Sequence, residues 1–482
     1  MTAPSYKSEL TDGDLVRPML RLAVPMVVIQ LLQVMYNVAD TFWLGLLSAN
    51  AVGALSLAFP MIFFLISIGG GFTAAGTILV AQYTGADSDG SADLIAGQTI
   101  SFVTLLAVAI GILGFFVTDP MLSLLPTDVE TGTDIVPLAG DYMRLFFLGS
   151  PFLFGFFIFS SLMRGYGNTR VPMLVMVVSV AINVVLDPLL IFGWWVFPRL
   201  EIEGAAIATI LARAVAAAIG MYVLFGTDVG PDVRLEHLPL RFDRVRDIVS
   251  LGVPTALEQS TSALAMILMT AMVATFPPAV VTAYGLGNRL TSLIFLPAMG
   301  MGQAIDAVVG QNLGAGKPER AARAAKLAAK IVTVALLPLA VVAAVTPEPI
   351  VAVFLGAGGP RAAETIAHAS DYLRIASVMF VFMGVLQVML GTFRGAGNTK
   401  TALVMSAITL WVVRLPAMYV LVFVENWAET GIWVAVALGD IGGAIVAVAW
   451  FTRGTWKSAV VDTDDGESSK NECTADRTPT DD

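Results

Sequence analysis

The chain has 482 residues, 57% hydrophobic and 13% charged, with a mean hydropathy of +0.80. A water-soluble domain carries roughly 25% charged residues, so a soluble enzyme, a fibrous chain and a disordered chain are excluded and a polytopic membrane protein remains. The 27 Lys+Arg and 37 Asp+Glu leave a net −10, and where those few charges sit matters, because an ionised group inside a bilayer is costly.

Residues 1–17 are polar and contain Glu9, Asp12 and Asp14, unlike the basic start of a cleavable signal peptide. Apolar runs bounded by Gly, Pro and polar clusters then predict twelve membrane helices. They lie near 18–46, 51–83, 93–117, 135–163, 171–197, 203–226, 247–274, 279–311, 321–346, 364–392, 400–424 and 428–452. The runs are long and do not alternate, so they predict helices rather than a barrel. A linker at 227–246 separates an N-lobe, 18–226, from a C-lobe, 247–453. The tail, 454–482, holds eight acids and two bases from Asp462 onward, and reads as a solvated, disordered segment. Cys473 is the single cysteine, and His237 and His368 are the two histidines, so thiolate clusters and intramembrane bis-histidine haem are excluded.

With both termini placed in the cytoplasm, 18 bases fall in cytoplasmic loops and helix ends, among them Arg17, Arg21, Arg164, Arg170, Lys317, Arg320 and Arg394. Only Arg199 and Arg361 fall outside. The positive-inside rule therefore predicts both termini on the cytoplasmic side, and the plasma membrane is the expected location.

The halves repeat. Val24-Pro25 matches Val253-Pro254, Gln82 matches Gln311, and Gly85-Ala86 matches Gly314-Ala315, all at an offset of 229. Arg164-Gly-Tyr-Gly-Asn-Thr-Arg170 matches Arg394-Gly-Ala-Gly-Asn-Thr-Lys400. Six helices separate the copies, an even number, so the halves share one orientation and relate by an axis along the membrane normal. The glycine-rich loops read as tight inter-helix turns. They contain no Walker-type Gly-Lys-Ser/Thr sequence to hold a nucleotide.

This repeat, with Pro25 and the Ala39-Asp40-Thr41 triplet in the first span, resembles the multidrug and toxic compound extrusion (MATE) family, and most closely its DinF-like branch. The resemblance covers about residues 15–453. It implies an all-α polytopic fold of twelve transmembrane helices in two pseudo-symmetric six-helix lobes around a central cavity. It also implies cation-coupled export by alternating access. The DinF-like pattern of an Asp on the first helix, an Asn-x-x-x-Asp pair on the fifth and a Thr on the sixth falls on Asp40, Asn183, Asp187 and Thr209. The family's bending proline falls on Pro25. Glu258 stands where NorM-like members keep a glutamate on the seventh helix, but their acid on the tenth is missing from Phe382–Gln387.

The residues themselves point to the same cluster. Asp40, Asn183 and Asp187 align with Met269, Val413 and Ala417, so the C-lobe lacks them. Asn183 and Asp187, Tyr36 and Asp40, and Ala205 and Thr209 are each i, i+4 and share a helix face. Two carboxylates, an amide oxygen, a hydroxyl and a backbone carbonyl make a hard oxygen site suited to Na⁺ or a shared proton, and two close carboxylates resist joint ionisation. No other cofactor is expected. Pro25, Met26, Tyr36 and Glu258 are assigned to gating or to the substrate cavity. Arg213 either holds one of the acids charged or snorkels. Arg289 with Asp306, and Arg414 with Asp440, are expected as ion pairs. A flexible apolar wall with a few acids suits lipophilic organic cations. The expected partners are those small molecules and the bilayer, with no nucleic acid, for a protein acting as a monomer. A lipid-linked-oligosaccharide flippase would favour a basic cavity. A lipid-modifying enzyme would need an interfacial catalytic constellation, and none is present in the sequence.

Overall fold

The computed structural model describes residues 10–123, 134–355 and 362–461, with no side-chain detail at 355 and 362. The regular structure among the described residues is helical. The helices are α1 (Val16–Leu47), α2 (Ala49–Gly85), α3 (Asp89–Ser123), α4 (Val136–Leu148), α5 (Ser150–Tyr166), α6 (Arg170–Phe192) and α7 (Glu201–Gly226) in the first half. The second half holds α8 (Phe242–Val273), α9 (Pro278–Gly314), α10 (Pro318–Val345), α11 (Pro347–Leu355), α12 (Ala362–Gly395), α13 (Thr399–Val424) and α14 (Ala428–Thr452). Eleven are long and apolar enough to cross a membrane, and α4 with α5 makes a twelfth span bent by 52° at Gly149. The short α11 caps the C-lobe between α10 and α12.

The chain alternates between two ends of the bundle. At the basic end lie Gly85, Tyr166, Arg170, Gly314 and Gly395; Leu47, Ser123 and Val273 lie at the far end. The repeated loop motif is a helix stop at the basic end. Gly167 (φ +101°) and Gly397 (φ +74°) take the left-handed conformation that closes α5 and α12, a conformation a side chain would strain.

The lobes meet through a pseudo-twofold pattern. A Cβ on Gly85 would collide with the Gln311 carbonyl, and one on Gly314 with the Gln82 carbonyl. The Gln82 amide donates to the Gly395 carbonyl (3.0 Å), and its repeat mate Gln311 donates to the Gly165 carbonyl (2.8 Å). Deeper, Gly71 meets the Ala256 backbone and its mate Gly300 meets the Val27 backbone. Apolar side chains have little reason to associate in lipid, so close backbone approach and buried hydrogen bonds hold such helices together.

The apolar cores show how far the contact extends. In the basic half, Ile248, Leu251 and Ala256 of α8 pack into the N-lobe core, while Met19, Leu22 and Ala23 of α1 pack into the C-lobe core. In the far half each lobe has a core of its own, one around Leu44, Tyr142 and Phe147, the other around Tyr284, Tyr372 and Trp433. The lobes share their cores at the basic end and keep separate ones toward the far end.

Each end of the described chain crosses to the opposite lobe. The carbonyl of Leu10, a buried residue, accepts from Asn312 Nδ2 (3.2 Å), and Lys317 Nζ reaches Asp12 (2.7 Å). From the other side, the Val460 backbone N–H donates to Gln82 Oε1 (2.8 Å) and Val461 packs into the N-lobe core. The expectation of a solvated segment from residue 454 is corrected over 454–461. Trp456 is fully buried, stacks on Phe451 and donates to its carbonyl. Its apolar residues outweigh the acids, which begin only at Asp462; 462–482 lie outside the described residues.

The double variant Gly85→Val/Gly314→Val should keep the basic end from closing. Spin labels at the exposed positions 87 and 316, with Cys473 replaced by Ser, should gain a second, longer distance population in a pulsed dipolar measurement. An unchanged distribution would contradict the packing described.

Candidate functional site

Helix spacing brings the N-lobe polar residues together from three helices. Asp40 is in the far half of α1, Asn183 and Asp187 lie one turn apart on α6, and Thr209 is on α7. Asn183 and Asp187 are fully buried, and Asp40 and Thr209 are buried to 5% and 6% exposure. The Asn183 amide donates to Asp187 Oδ1 (3.1 Å), Thr209 Oγ1 donates to Asp40 Oδ2 (3.5 Å), and Tyr36 Oη donates to the Thr209 carbonyl (3.3 Å). Thr209 is thus the donor to the Asp40 carboxyl, and Asn183 the donor to the Asp187 carboxyl. Three buried oxygens, Asp40 Oδ1, Asn183 Oδ1 and Asp187 Oδ2, have no donor. Buried acceptors are ordinarily paired, so the set fits one small cation or a proton. Ala205 is buried one turn before Thr209, in the far N-lobe core.

Arg213 stays inside this cluster rather than snorkelling. It is 2% exposed, donates to Gln33 Oε1 (2.7 Å), and lies 4.7 Å from the centroid of the Tyr36 ring. Gln33 was missed in the sequence. Its signal was available: Gln33, Tyr36 and Asp40 fall on one face of α1.

Pro25 lies inside the unbroken α1, and Met26 is buried in the core shared by both lobes, about four helical turns below Asp40. Glu258 also sits in the basic half. Its Oε1 accepts from Arg394 (2.9 Å), whose Nε lies 3.7 Å from Asp306 Oδ1. The expected Arg289–Asp306 pair does not form. Both residues are on α9, 17 positions apart, which is about 25 Å along a helix, and Arg289 is exposed. Of the bases read as cytoplasmic, Arg164 is buried between the lobes and Arg394 turns into the C-lobe, partly buried, against its two acids. Arg164 donates to Thr77 Oγ1 (3.0 Å) and to Gln303 Oε1 (3.4 Å) across the interface. Position 77 is the repeat mate of Asp306, so the two arginines hold equivalent places.

The second expected pair forms. Arg414 Nη2 lies 2.7 Å from Asp440 Oδ1, both largely buried. A π-helical stretch, Ile408–Arg414, ends on this arginine, and Gly439 leaves room for its guanidinium. This far-half C-lobe site holds one acid and one base already bonded to each other.

A family model described as MatE matches residues 25–189 and 254–420, in two copies whose starts lie 229 residues apart. The chain belongs to the MatE family of membrane transporters. Each match takes in the first five of the six spans in one repeat. Among relatives, the probable multidrug resistance protein YpnP of Bacillus subtilis is 28% identical over 451 residues, covering 93% of this chain and 98% of its own. The FAD transporter of Shewanella oneidensis is also 28% identical, over 84% of this chain and 88% of its own. Among solved structures, a MOP superfamily transporter from Pyrococcus furiosus, described by a reverse polarity of its binding pocket, superposes with a TM-score of 0.87 at 24% identity. It covers 95% of this chain and 99% of its own, and confirms the fold of this MatE transporter.

Breaking the Arg414–Asp440 pair should cost this MatE transporter about 3–5 kcal/mol, the usual penalty for stranding one buried charge. Thermal unfolding in detergent should therefore show Arg414→Met clearly destabilised and Arg414→Met/Asp440→Leu restored most of the way. Equal loss in both would show that the pair is not the cause.

Proposed function

We propose that the protein is a secondary active multidrug exporter that moves organic, mostly cationic, compounds across the plasma membrane in exchange for Na⁺ or H⁺. The reading is carried by one observation, the three donorless oxygens of Asp40, Asn183 and Asp187 beside a single arginine. Two ionised carboxylates and Arg213 sum to −1, so one monovalent cation neutralises the cluster. A proton shared by Asp40 and Asp187 or a Na⁺ held by Asp40, Asn183, Asp187 and the Thr209 hydroxyl serves equally.

The names of the relatives support the multidrug substrate class. The shared cores at the basic end and the separate ones at the far end support alternating access, with the basic end on the cytoplasmic side and this conformation open outward. Cation entry from outside relieves carboxylate repulsion and changes the relative stability of the two lobe arrangements. Pro25 removes one helical hydrogen bond from α1 below Asp40, so α1 can bend there at lower cost. Substrate occupies the space between the far halves of the lobes while the cluster is unloaded, and loading expels it. Glu258 is buried at the middle of α8, and its bond to Arg394 at the basic end of α12 makes it a gating group.

A second reading, export of an anionic compound, is favoured by one feature: Arg164 bonds only to neutral oxygens, with no carboxylate within ion-pair distance among the described residues. The relative named as an FAD transporter agrees with it.

In proteoliposomes, imposed Na⁺ and H⁺ gradients should be tested separately with ethidium and with FAD as cargo. Ethidium flux should follow one of the gradients, and Asp40→Asn or Asp187→Asn should reduce it to the leak seen without a gradient while the proteins still insert and unfold cooperatively. Normal coupled flux in correctly inserted Asp40→Asn protein would sink the mechanism, and gradient-driven FAD flux without ethidium flux would favour the second reading.

A further inference from the structure

A groove of about 1120 Å³ runs along the outside of the N-lobe at the basic end, between the first turns of α1 and α6. Its mouth carries three arginines, Arg17 and Arg21 one turn apart on α1 and Arg170 at the start of α6. One turn deeper on each helix the lining becomes apolar: Val24 follows Arg21 and Leu174 follows Arg170, both more than half exposed. Basic side chains at the boundary and apolar ones beneath reproduce the order of headgroup and acyl chain in a leaflet. Two acids also lie at the mouth, so three arginines face two carboxylates there. Asp12 is bonded to Lys317 Nζ (2.7 Å), which holds its carboxyl below the usual range, and Asp14 accepts from the Arg17 backbone N–H (3.3 Å) at the start of α1.

We propose that this groove is a binding site for a membrane phospholipid with an anionic headgroup, its phosphate among Arg17, Arg21 and Arg170 and an acyl chain along Val24 and Leu174. A free phosphate would use the arginines but leave the apolar half unused. Basic pockets between spans on the cytoplasmic side are the form such lipid sites take. The groove ends on Pro25, so the bound lipid lies against the α1 segment that the transport mechanism asks to bend. The site rests on the reading of α1 and α6 as spans whose basic ends meet the bilayer surface; it does not need the coupling mechanism, and a binding assay separates the two.

The full-length protein, exchanged into a neutral detergent, should be titrated with dioleoyl phosphatidylglycerol and with dioleoyl phosphatidylcholine, and bound lipid counted by native mass spectrometry. The wild type should retain one phosphatidylglycerol in preference to phosphatidylcholine. Each basic residue near such a surface contributes roughly a fivefold affinity factor, so Arg17→Gln/Arg21→Gln/Arg170→Gln should lose on the order of a hundredfold. Arg234→Gln/Arg241→Gln/Arg246→Gln, which removes the same charge from the inter-lobe linker and the start of α8, should lose much less. Val24→Ser/Leu174→Ser, which leaves the arginines in place, should also weaken binding. Equal loss in the two arginine triples would reduce the effect to overall surface charge, and undiminished binding in the groove triple would remove the site. Displacement by inorganic phosphate as effectively as by the lipid would make it a phosphate site rather than a lipid site. Each of these three outcomes overturns the proposal.

Discussion

Two carboxylates and one guanidinium share the buried interior of the N-lobe, and the oxygens around them outnumber the donors. In such a medium like charges at short range cannot both persist without a partner. Arg213 is spent on Gln33 and the Tyr36 ring rather than on either acid directly. The cluster therefore lacks one positive charge, and that deficit is what a coupling ion would supply. The C-lobe solves the same problem differently. Arg414 and Asp440 cancel within one hydrogen-bonded pair, and Arg394 bonds Glu258 while approaching Asp306. Duplicated scaffolds have thus diverged in the far half: the C-lobe site there is a closed pair, whereas the N-lobe cluster keeps donorless oxygens around two carboxylates.

The position of the two kinds of cluster matters as much as their charge. The open one lies in the far half, where each lobe keeps a separate core. The Arg164 and Arg394 groups lie where the lobes are joined, near the glycine contacts of α2 and α9 and the two crossing terminal segments. Opening the basic end would break the Gln82 and Gln311 hydrogen bonds together, and with them the Leu10 and Val460 contacts. Because the two sides of this seam are repeat mates, it resists partial opening. Such a seam favours two discrete arrangements over a continuum.

Much of this was written in the sequence. Hydropathy located every span to within a few residues, and the 229-residue offset exposed the lobes because glycine, proline and glutamine recur where backbones must approach. Asp40, Asn183 and Asp187 stood out because their mates are Met269, Val413 and Ala417. What remained hidden depended on which helices become neighbours. Arg394 was read as a loop charge because it precedes the Gly-x-Gly-Asn turn, but its long side chain points back into the bundle toward α8. The bonds of Arg164 to Thr77 and Gln303 were hidden for the same reason. The π-helical turns of α13 have no marker in the apolar run that forms them.

The central claim is that substrate and coupling ion compete through the Asp40–Asp187 cluster. The direct measurement is ion release on substrate addition: purified protein in weakly buffered, Na⁺-containing detergent solution is titrated with ethidium while pH and free Na⁺ are followed. The account predicts that one H⁺ or one Na⁺ leaves per ethidium bound, and that none leaves from Asp40→Asn/Asp187→Asn protein that still binds the dye. Ethidium binding to the wild type with no ion released, or the same release from the double variant, would contradict it.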